Sequence, residues 1–373
     1  MSDPALPKIL IASTLKSTHD TRAWEKFGLS LRETNKYQIN IIGFSAKKKE
    51  ISDGVTFYSS GIKNSNPTER LKAQKRFYEI IHEVEPDLVI CCTFEYLRLC
   101  GSLKSKLGYK LIYDVQENYI LNLSLRKDLS QASKKIRERF IRFSEAKAKV
   151  DYYILAEEIY SEQMPHMQPN LVLQNKFVGP IETLMPREIE EKQGYHFAIV
   201  GTLAESYGIL DGISFFKTIL KDFPFSRLSI LGHVTLKDSA HQIFEAAEGI
   251  SNIDLKLDQN PVNHGSILEL IKEVDFLLCP YKREKAFLGK TPSKFFEAQA
   301  LGTPVLYSSH MGWEYFFEFS HGGKPIDFSN PHSGIEQFNE AKSGTFFLNP
   351  DQWEVNWESD KNDFLHLIEK LLG

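Results

Sequence analysis

The chain has 373 residues, of which 42% are hydrophobic and 25% are charged, and its formal net charge is −4. This composition is typical of a globular protein of about two domains and excludes a fibrous or disordered one. No apolar run is long enough to span a membrane, and the first residues lack the pattern of a signal peptide. We therefore expect a cytoplasmic protein. Its four cysteines, expected to be buried free thiols, are Cys91, Cys92, Cys100 and Cys279.

Charge is distributed unevenly along the chain. Residues 1–180 contain 28 basic and 21 acidic side chains, whereas the remainder contains 17 basic and 28 acidic ones. An anionic partner is therefore expected to meet the first half, and nothing in the pattern indicates nucleic-acid binding.

The first half alternates short apolar segments with amphipathic ones, which predicts strands and helices in turn. The predicted strands are 8–12, 39–44, 87–92, 110–115, 151–156 and 171–175, and the predicted helices are 21–33, 68–83, 96–106 and 131–149. Near-continuous apolar strands separated by helices indicate a parallel sheet covered on both faces. We place this first α/β domain at residues 1–178.

A linker composition at 176–194, rich in proline, glycine and charge, precedes a second alternating region. Its predicted strands are 195–201, 227–232, 253–257, 275–281 and 304–309, and its predicted helices are 207–220, 239–249, 264–274, 291–301 and 362–373. The pattern predicts two doubly wound, Rossmann-like domains with a cleft between them. Ligands of such sheets bind at the carboxyl ends of the strands.

Several common motifs are absent from the sequence. There is no GxGxxG after the first strand, no P-loop, no DxD pair, no HExxH or Cys/His cluster, and no GxSxG. We therefore expect no metal and no dinucleotide cofactor.

The segment "KTPSKFFEAQALGTPVLYSS" at 290–309 carries the strongest signal. Thr291 is a predicted N-cap and Pro292 a predicted first helical residue. Lys294 in the first turn opposes the helix dipole, and an anion bound there would remove the conflict. Glu297, one turn further on, offers acceptors to a pair of sugar hydroxyls. The alternative is a solvated i,i+3 ion pair between Lys294 and Glu297.

The segment "DFLLCPYKREKAFLGKTPSKFFEAQALGTPVL" resembles the donor-binding segment of GT-B glycosyltransferases of the large group 1 class. The resemblance implies that Glu297 holds the ribose of a nucleotide sugar and that the helix start, with Ser293 and Lys294, receives the diphosphate. "IVGTLAESYGILDGISFF" resembles the loop where Gly201 and Thr202 would face the phosphates. "LSILGHV" resembles the strand that ends beside the nucleobase, which places His233 there.

In the first domain, "STHDTRAWEKFGLSLRE" and "IYDVQENY" resemble two further family segments. They imply that His19, Asp20 and Arg22 lie on the acceptor side and that Gln116 and Glu117 are catalytic candidates with Lys294. Simpler interpretations stay open, since Asp20 is also a suitable helix cap and Glu117 also suits a turn. The resemblance further assigns residues 179–355 to the donor domain and 356–373 to a helix that crosses back to the first domain.

The sequence departs from the family pattern at three places. Gly289 stands where a first glutamate is common, with Glu284 as a speculative substitute, and Gln116 stands where a histidine is common. The loop "GTLAESYG" contains no basic residue. These departures affect catalysis more than donor binding.

The prediction is a retaining glycosyltransferase that moves a sugar from a nucleotide diphosphate sugar to a carbohydrate or lipid-linked acceptor, as in cell-surface polysaccharide synthesis. The alternatives are a GT-B nucleotide-sugar epimerase and a catalytically inert nucleotide-sugar-binding relative. The nucleotide sugar is a substrate, and no cofactor is expected.

The region 126–150 is strongly basic and has an apolar stripe of Ile136, Phe140, Phe143 and Val150. Such a helix can lie on an anionic membrane, which would suit a lipid-linked acceptor and a weak peripheral association. The interpretation that we prefer is packing of this stripe on the first sheet.

Overall fold

The computed structural model describes residues 5–62, 67–181, 184–234, 237–260, 262–349 and 353–373. The chain divides into two compact units. Unit 1 comprises Met1–Val178 and Trp357–Gly373, and unit 2 comprises Gly179–Asn356. The acceptor and donor roles given to the predicted ranges 1–178 and 179–355 stay predictions. Glu182 and Thr183 of the predicted linker lie outside the described residues.

Unit 1 is built on an eight-stranded sheet of order β3-β4-β2-β1-β5-β6-β7-β8, in which only β3 is antiparallel to its neighbour. The strands are β1 Lys8–Ser17, β2 Gln38–Phe44, β3 Lys49–Ser52, β4 Val55–Ser59, β5 Leu88–Cys91, β6 Lys110–Val115, β7 Tyr152–Leu155 and β8 Asn170–Val172. All six predicted strands are confirmed. β3 was not predicted, because it is a polar, largely exposed edge strand. Its neighbour β4 was not predicted either.

Helices cover both faces of this sheet, as expected for β-α-β connections. They are α1 Leu29–Glu33, α2 Pro67–Val84, α3 Phe94–Leu107, α4 Tyr119–Asn122, α5 Gln131–Lys147 and α6 Ile159–Gln163. The predicted helix 21–33 is confirmed as helical, but its first eight residues, Thr21–Gly28, wind as a π-helix before α1.

The apolar stripe of α5 does not pack on the first sheet in the way that we expected. Ile136 is 69% exposed, and Phe140 and Phe143 are each 46% exposed. Of the predicted apolar stripe, only Val150, beyond the end of the helix, packs against the core. The packing interpretation is therefore wrong for three of its four residues, because α5 turns Ile141 and Ser144 inward instead.

Unit 2 contains a six-stranded parallel sheet of order β12-β11-β10-β13-β14-β15 and a small antiparallel pair, β16-β9. The strands are β9 Arg187–Glu188, β10 His196–Thr202, β11 Arg227–His233, β12 Ile253–Asp258, β13 Phe276–Cys279, β14 Val305–Ser308, β15 Gly323–Ile326 and β16 Thr345–Phe346. The helices are α7 Ile209–Asp222, α8 Lys237–Ala247, α9 His264–Glu273, α10 Ser293–Ala300, α11 Glu314–Phe317 and α12 Pro331–Lys342. The predicted strands and helices are confirmed, whereas β9, β15, β16, α11 and α12 were not predicted.

The last helix, α13 Glu358–Leu372, belongs to unit 1 although it follows unit 2 in the chain. Trp357, just before it, donates from Nε1 to Ser30 Oγ at 2.9 Å. Phe364 stacks on Phe27 with ring centroids 4.5 Å apart. The aromatic and aliphatic face of α13 thus completes the core on one side of the unit 1 sheet.

Among the described residues, no helix has both the length and the apolar character that crossing a bilayer requires. All four cysteines are buried and unpaired, as predicted.

Candidate functional site

The strand order of unit 2 reverses between β10 and β13. The chain leaves β10 for β11 and β12 on one side, then returns to add β13, β14 and β15 on the other. Loops that leave the carboxyl ends of two such neighbouring strands diverge, and the space that they leave is the usual ligand site of an open α/β sheet. The predicted donor residues follow β10 and β13.

At the end of β10, Gly201 has φ of +95°, a conformation that side chains strongly disfavour. A Cβ at this position would have Lys294 Nζ, at 3.7 Å, as its near neighbour. On the adjacent strand, a Cβ on Gly232 would lie 2.0 Å from the Gly201 carbonyl oxygen. The two glycines therefore allow the ends of β10 and β11 to pass closely and keep backbone accessible beside Lys294.

Lys294 reaches back from α10 to the end of β10. Its Nζ donates to the Val200 carbonyl oxygen at 2.7 Å and lies 5.3 Å from the centroid of the Tyr281 ring. The ammonium thus sits between the loops that follow β10 and β13. The fold thus brings together Lys294 and Gly201, which are ninety-three positions apart in the chain.

The start of α10 is one residue later than predicted. The helix begins at Ser293, and Pro292, with ψ of 134°, takes the cap position without a side-chain hydrogen bond. The predicted N-cap role of Thr291 is therefore wrong. Its hydroxyl lies 3.0 Å from Tyr315 Oη instead. The exposed Ser293 opens the first turn, where the backbone N–H groups of a helix have no intrahelical acceptor.

Glu297 does not pair with Lys294. Its Oε1 lies 3.0 Å from Nε2 of His264, the first residue of α9, and the Glu297 side chain is 12% exposed. The interpretation of 294 and 297 as a solvated ion pair is therefore wrong. The imidazole holds one carboxylate oxygen and fixes the direction in which the carboxylate points.

The remaining donor candidates lie at the same edge of the sheet. Thr202 and His233 are register partners at the ends of β10 and β11, and both are half-buried. Burial lowers the pKa of His233, and the opposing charge of Asp258 does not offset it. Burial raises the pKa of the Cys279 thiol to about 12 although Lys294 opposes this. The edge therefore brings the Lys294 side chain together with the uncharged side chains of Thr202 and Cys279 and with His233.

In unit 1, the predicted residues Arg22 and Gln116 meet on Asp114, which is 0% exposed. Arg22 forms a bidentate ion pair with Asp114, in which Nη2 donates to Oδ1 at 2.7 Å and Nε donates to Oδ2 at 2.9 Å. Gln116 Nε2 donates to Asp114 Oδ2 at 2.7 Å. Burial opposes the charge of Arg22, but Asp114 outweighs it and raises the pKa of Arg22.

Arg22, only 1% exposed, holds the buried Asp114. Gln116, 7% exposed, donates from its amide nitrogen to the same carboxylate. The acceptor-side role of Arg22 and the catalytic role of Gln116 stay predictions.

The other three unit 1 candidates lie nearer the surface. Asp20 caps the π-helix by accepting from the backbone N–H groups of Arg22 and Ala23, so the simpler interpretation of Asp20 is confirmed. Burial raises the pKa of Asp20, but the charge of Lys16 and the hydrogen bonds from these N–H groups together outweigh burial. The pKa of Asp20 is therefore lowered overall. His19 is exposed and stacks on Phe57 with centroids 4.5 Å apart. Glu117 is exposed at the end of β6, where it accepts from Asn122 Nδ2 at 2.9 Å.

Three residues of these sites were missed from the sequence. Asp114 carries a detectable signal, because a charged residue within the apolar strand "KLIYDV" requires a buried partner. His264 and Tyr281 carry none, because only the fold brings them to Glu297 and Lys294. In the described ranges, no group of three or more His, Cys, Asp or Glu side chains is placed to hold a metal ion.

Comparison with solved structures identifies the fold. A sucrose-phosphate synthase from Thermosynechococcus elongatus superposes with a TM-score of 0.70 at 12% identity, over 98% of this chain and 99% of that one. A UDP-forming trehalose-phosphate synthase from Burkholderia xenovorans gives 0.64 at 10% identity, over 99% and 100%. HepE from Anabaena, solved with UDP and glucose, gives 0.62 at 11% identity, over 98% and 100%. No protein-family model and no curated protein matches this sequence.

At these identities the likeness shows the fold alone. The chain has the GT-B fold, with two Rossmann-like α/β units, and the predicted fold class is confirmed.

Proposed function

We propose that this protein is a glycosyltransferase that takes a sugar from a nucleotide diphosphate sugar and delivers it to a carbohydrate or lipid-linked acceptor. The observation that carries the proposal is the position of Lys294. Its ammonium sits at the carboxyl end of β10, beside Gly201 and next to the first turn of α10. Helix-start N–H groups, accessible glycine backbone and a cation together attract a diphosphate.

Glu297 supplies the second half of donor recognition. Its carboxylate can accept from ribose hydroxyls while His264 holds one of its oxygens. His233, half-buried and with a lowered pKa, suits contact with an uncharged nucleobase. Because HepE was solved with UDP and glucose, UDP-glucose is the first donor to test.

The chemistry that we propose is retaining transfer, which the sequence resemblance implies. The bond between the anomeric carbon and the diphosphate oxygen breaks, and a bond from the acceptor oxygen forms on the same face. The acceptor proton passes to the departing diphosphate. Negative charge grows on that diphosphate, so Lys294 and the α10 N–H groups stabilise the transition state. Such a reaction requires no cofactor. In unit 1, the exposed side chains of His19 and Glu117 are candidates for contact with the acceptor.

Epimerisation of a nucleotide sugar is the second candidate. A Listeria monocytogenes protein assigned as a UDP-N-acetylglucosamine 2-epimerase superposes with a TM-score of 0.60 at 10% identity, over 98% of this chain and 96% of that one. A transferase releases nucleoside diphosphate and forms a new glycoside, whereas an interconverted nucleotide sugar would support epimerisation. Tight binding without any turnover would support an inert relative.

We further propose that α5 brings the protein to an anionic membrane surface that carries the acceptor. Its exposed Ile136, Phe140 and Phe143 lie among basic residues, with Arg98 and Lys147 against the Phe143 ring. The buried free thiols suit the reducing cytoplasm. Sedimentation with phosphatidylglycerol vesicles tests this, with phosphatidylcholine vesicles as control. Phe140→Ser/Phe143→Ser should abolish binding, and unchanged binding would count against the surface.

The direct test of the donor site is a thermal-shift screen with UDP, GDP, ADP, CMP and their sugars. A ligand that binds only the folded state raises the melting temperature. Lys294→Met and Glu297→Gln should remove most of the shift. Their controls, Lys217→Met on α7 and Glu336→Gln on α12, are exposed and should retain it. The proposal fails if no nucleotide stabilises the protein or if all four variants respond alike.

A further inference from the structure

A pocket of about 300 Å³ opens in unit 2, next to the loops that follow β13, β14 and β15. Pro280 and Phe328 form its apolar part, and Asp211, Lys282, Arg283 and His310 are its ionisable lining residues. Gly201, Lys294 and Glu297 do not line it, but Tyr281, whose ring lies 5.3 Å from Lys294 Nζ, does, so the pocket adjoins the candidate donor site. Its volume is at the lower end of the range for small-molecule sites.

The acidic group of the pocket is loosely held. Asp211 Oδ2 lies 4.0 Å from Lys282 Nζ, beyond hydrogen-bonding distance. Burial raises the pKa of Asp211, although the positive charge of Lys282 opposes this. A partly dehydrated carboxylate with a distant counterion retains acceptor capacity for a ligand hydroxyl.

We propose that this pocket binds a small hydroxylated phosphate ester of about the size of a hexose phosphate. Lys282, whose Nζ also lies 3.5 Å from Glu205 Oε1, and the exposed Arg283 supply two adjacent cationic donors, which suit a phosphate dianion better than a single carboxylate. Asp211 accepts from a ligand hydroxyl. Pro280 and Phe328 pack against the carbon skeleton. The site stands independently of the proposed transferase activity.

Isothermal titration of the full chain with glucose 6-phosphate, inorganic phosphate and glucose tests the site. Glucose 6-phosphate should bind at least about tenfold more tightly than inorganic phosphate or glucose, since each of these two fragments makes only part of the contacts. Lys282→Met/Arg283→Met should weaken ester binding about tenfold or more. Asp211→Asn should weaken the ester but leave inorganic phosphate unchanged. Lys285→Met, an exposed neighbour in the same loop, is the matched control and should bind normally.

Three results would overturn the proposal. Equal affinity for the ester and inorganic phosphate would mean a bare anion site. Unchanged binding in the Lys282/Arg283 variant, with its melting temperature intact, would place the ligand elsewhere. Loss of ester binding in Glu297→Gln would assign it to the donor site. Because that variant separates the two sites, a failed donor screen and a failed ester titration remain distinguishable.

Discussion

The carboxylate of Glu297 lies 3.0 Å from His264 Nε2, which joins the starts of two helices that follow different strands. Glu297 sits one turn inside α10, and His264 opens α9. The pair means that the direction of the carboxylate depends on a residue that is thirty-three positions away and was not foreseen. In the proposed donor site, His264 would accordingly position Glu297 for a sugar hydroxyl.

Removal of His264 should affect donor binding more than turnover. Losing one hydrogen bond to a charged group costs about 1.5–3 kcal/mol, so we expect His264→Ala to raise KM for the nucleotide sugar about tenfold or more. The kcat should change by less than about threefold, and His264→Gln should recover part of the loss. His241→Ala, on exposed α8, is the control. A loss confined to kcat would contradict the positioning role.

The buried pair in unit 1 should matter for folding. Asp114→Asn leaves the charge of Arg22 buried without its counterion, and such a change typically costs about 3–5 kcal/mol. Denaturant unfolding should therefore show a large loss of stability. Asp128→Asn, in the exposed pair with Arg126, provides the comparison and should cost less than about 1 kcal/mol. Similar losses of stability in both variants would contradict the expected difference between the buried and the exposed ion pair.

Substitution of two glycines that have nearly equal φ angles would distinguish the cost of backbone strain from the cost of a steric clash. Gly208 has φ of +70° and Gly249 has φ of +74°. A Cβ on Gly208 would lie 1.7 Å from the Pro280 carbonyl oxygen, whereas one on Gly249 meets nothing within 4 Å. Gly249→Ala should cost about 1 kcal/mol from strain alone. Gly208→Ala should cost at least about 2 kcal/mol more in thermal or denaturant unfolding, and equal costs would refute the close approach.

Glu145 on α5 should make stability depend on pH. Burial raises its pKa to about 7 from the ordinary 4.5, and contacts with Tyr113 and Arg142 only partly oppose this. Between these values the folded state binds more protons than the unfolded state, so stability falls as pH rises from about 4.5 to 7. Glu145→Gln should therefore be more stable than the parent at pH 8 by on the order of 1 kcal/mol, and nearly equal to it at pH 4.5.

The control for that experiment is Glu138→Gln, on the same helix, whose side chain is 38% exposed and pairs with Arg142. Melting curves at both pH values should show little difference for this variant. A pH-independent gain in Glu145→Gln would show that the buried charge is not its cause.

The parallel strands could be predicted because their burial on both faces makes them continuously apolar. "KLIYDV" and "FLLC" are examples, and both were located to within two residues. The strand "GKPI" escaped because it contains lysine and proline, and its packing is decided by β14 beside it. The π-helical winding of Thr21–Gly28 likewise has no marker in the sequence that we recognised.

At the candidate site, the sequence indicated which residues carry charge but not what those charges contact. Lys294 was singled out because the conflict of its charge with the helix dipole is local, and Glu297 because it lies one turn further along the same helix. Their partners, the Val200 carbonyl and His264, are contributed by other strands and helices. The contact of Gln116 with Asp114 could not be foreseen either, since the sequence does not show whether a glutamine at a strand end meets solvent or a buried aspartate.

The insertion of unit 2 between the two parts of unit 1 sets an order of events during translation. Residues Gly179–Asn356 contain all the strands of their own sheet and can fold as soon as they emerge. Unit 1 cannot close its core until Trp357 and Phe364 have been synthesised. While the intervening unit is synthesised, the apolar surface around Phe27 in nascent unit 1 therefore stays uncovered. In the cell, chaperones would be most needed during this interval.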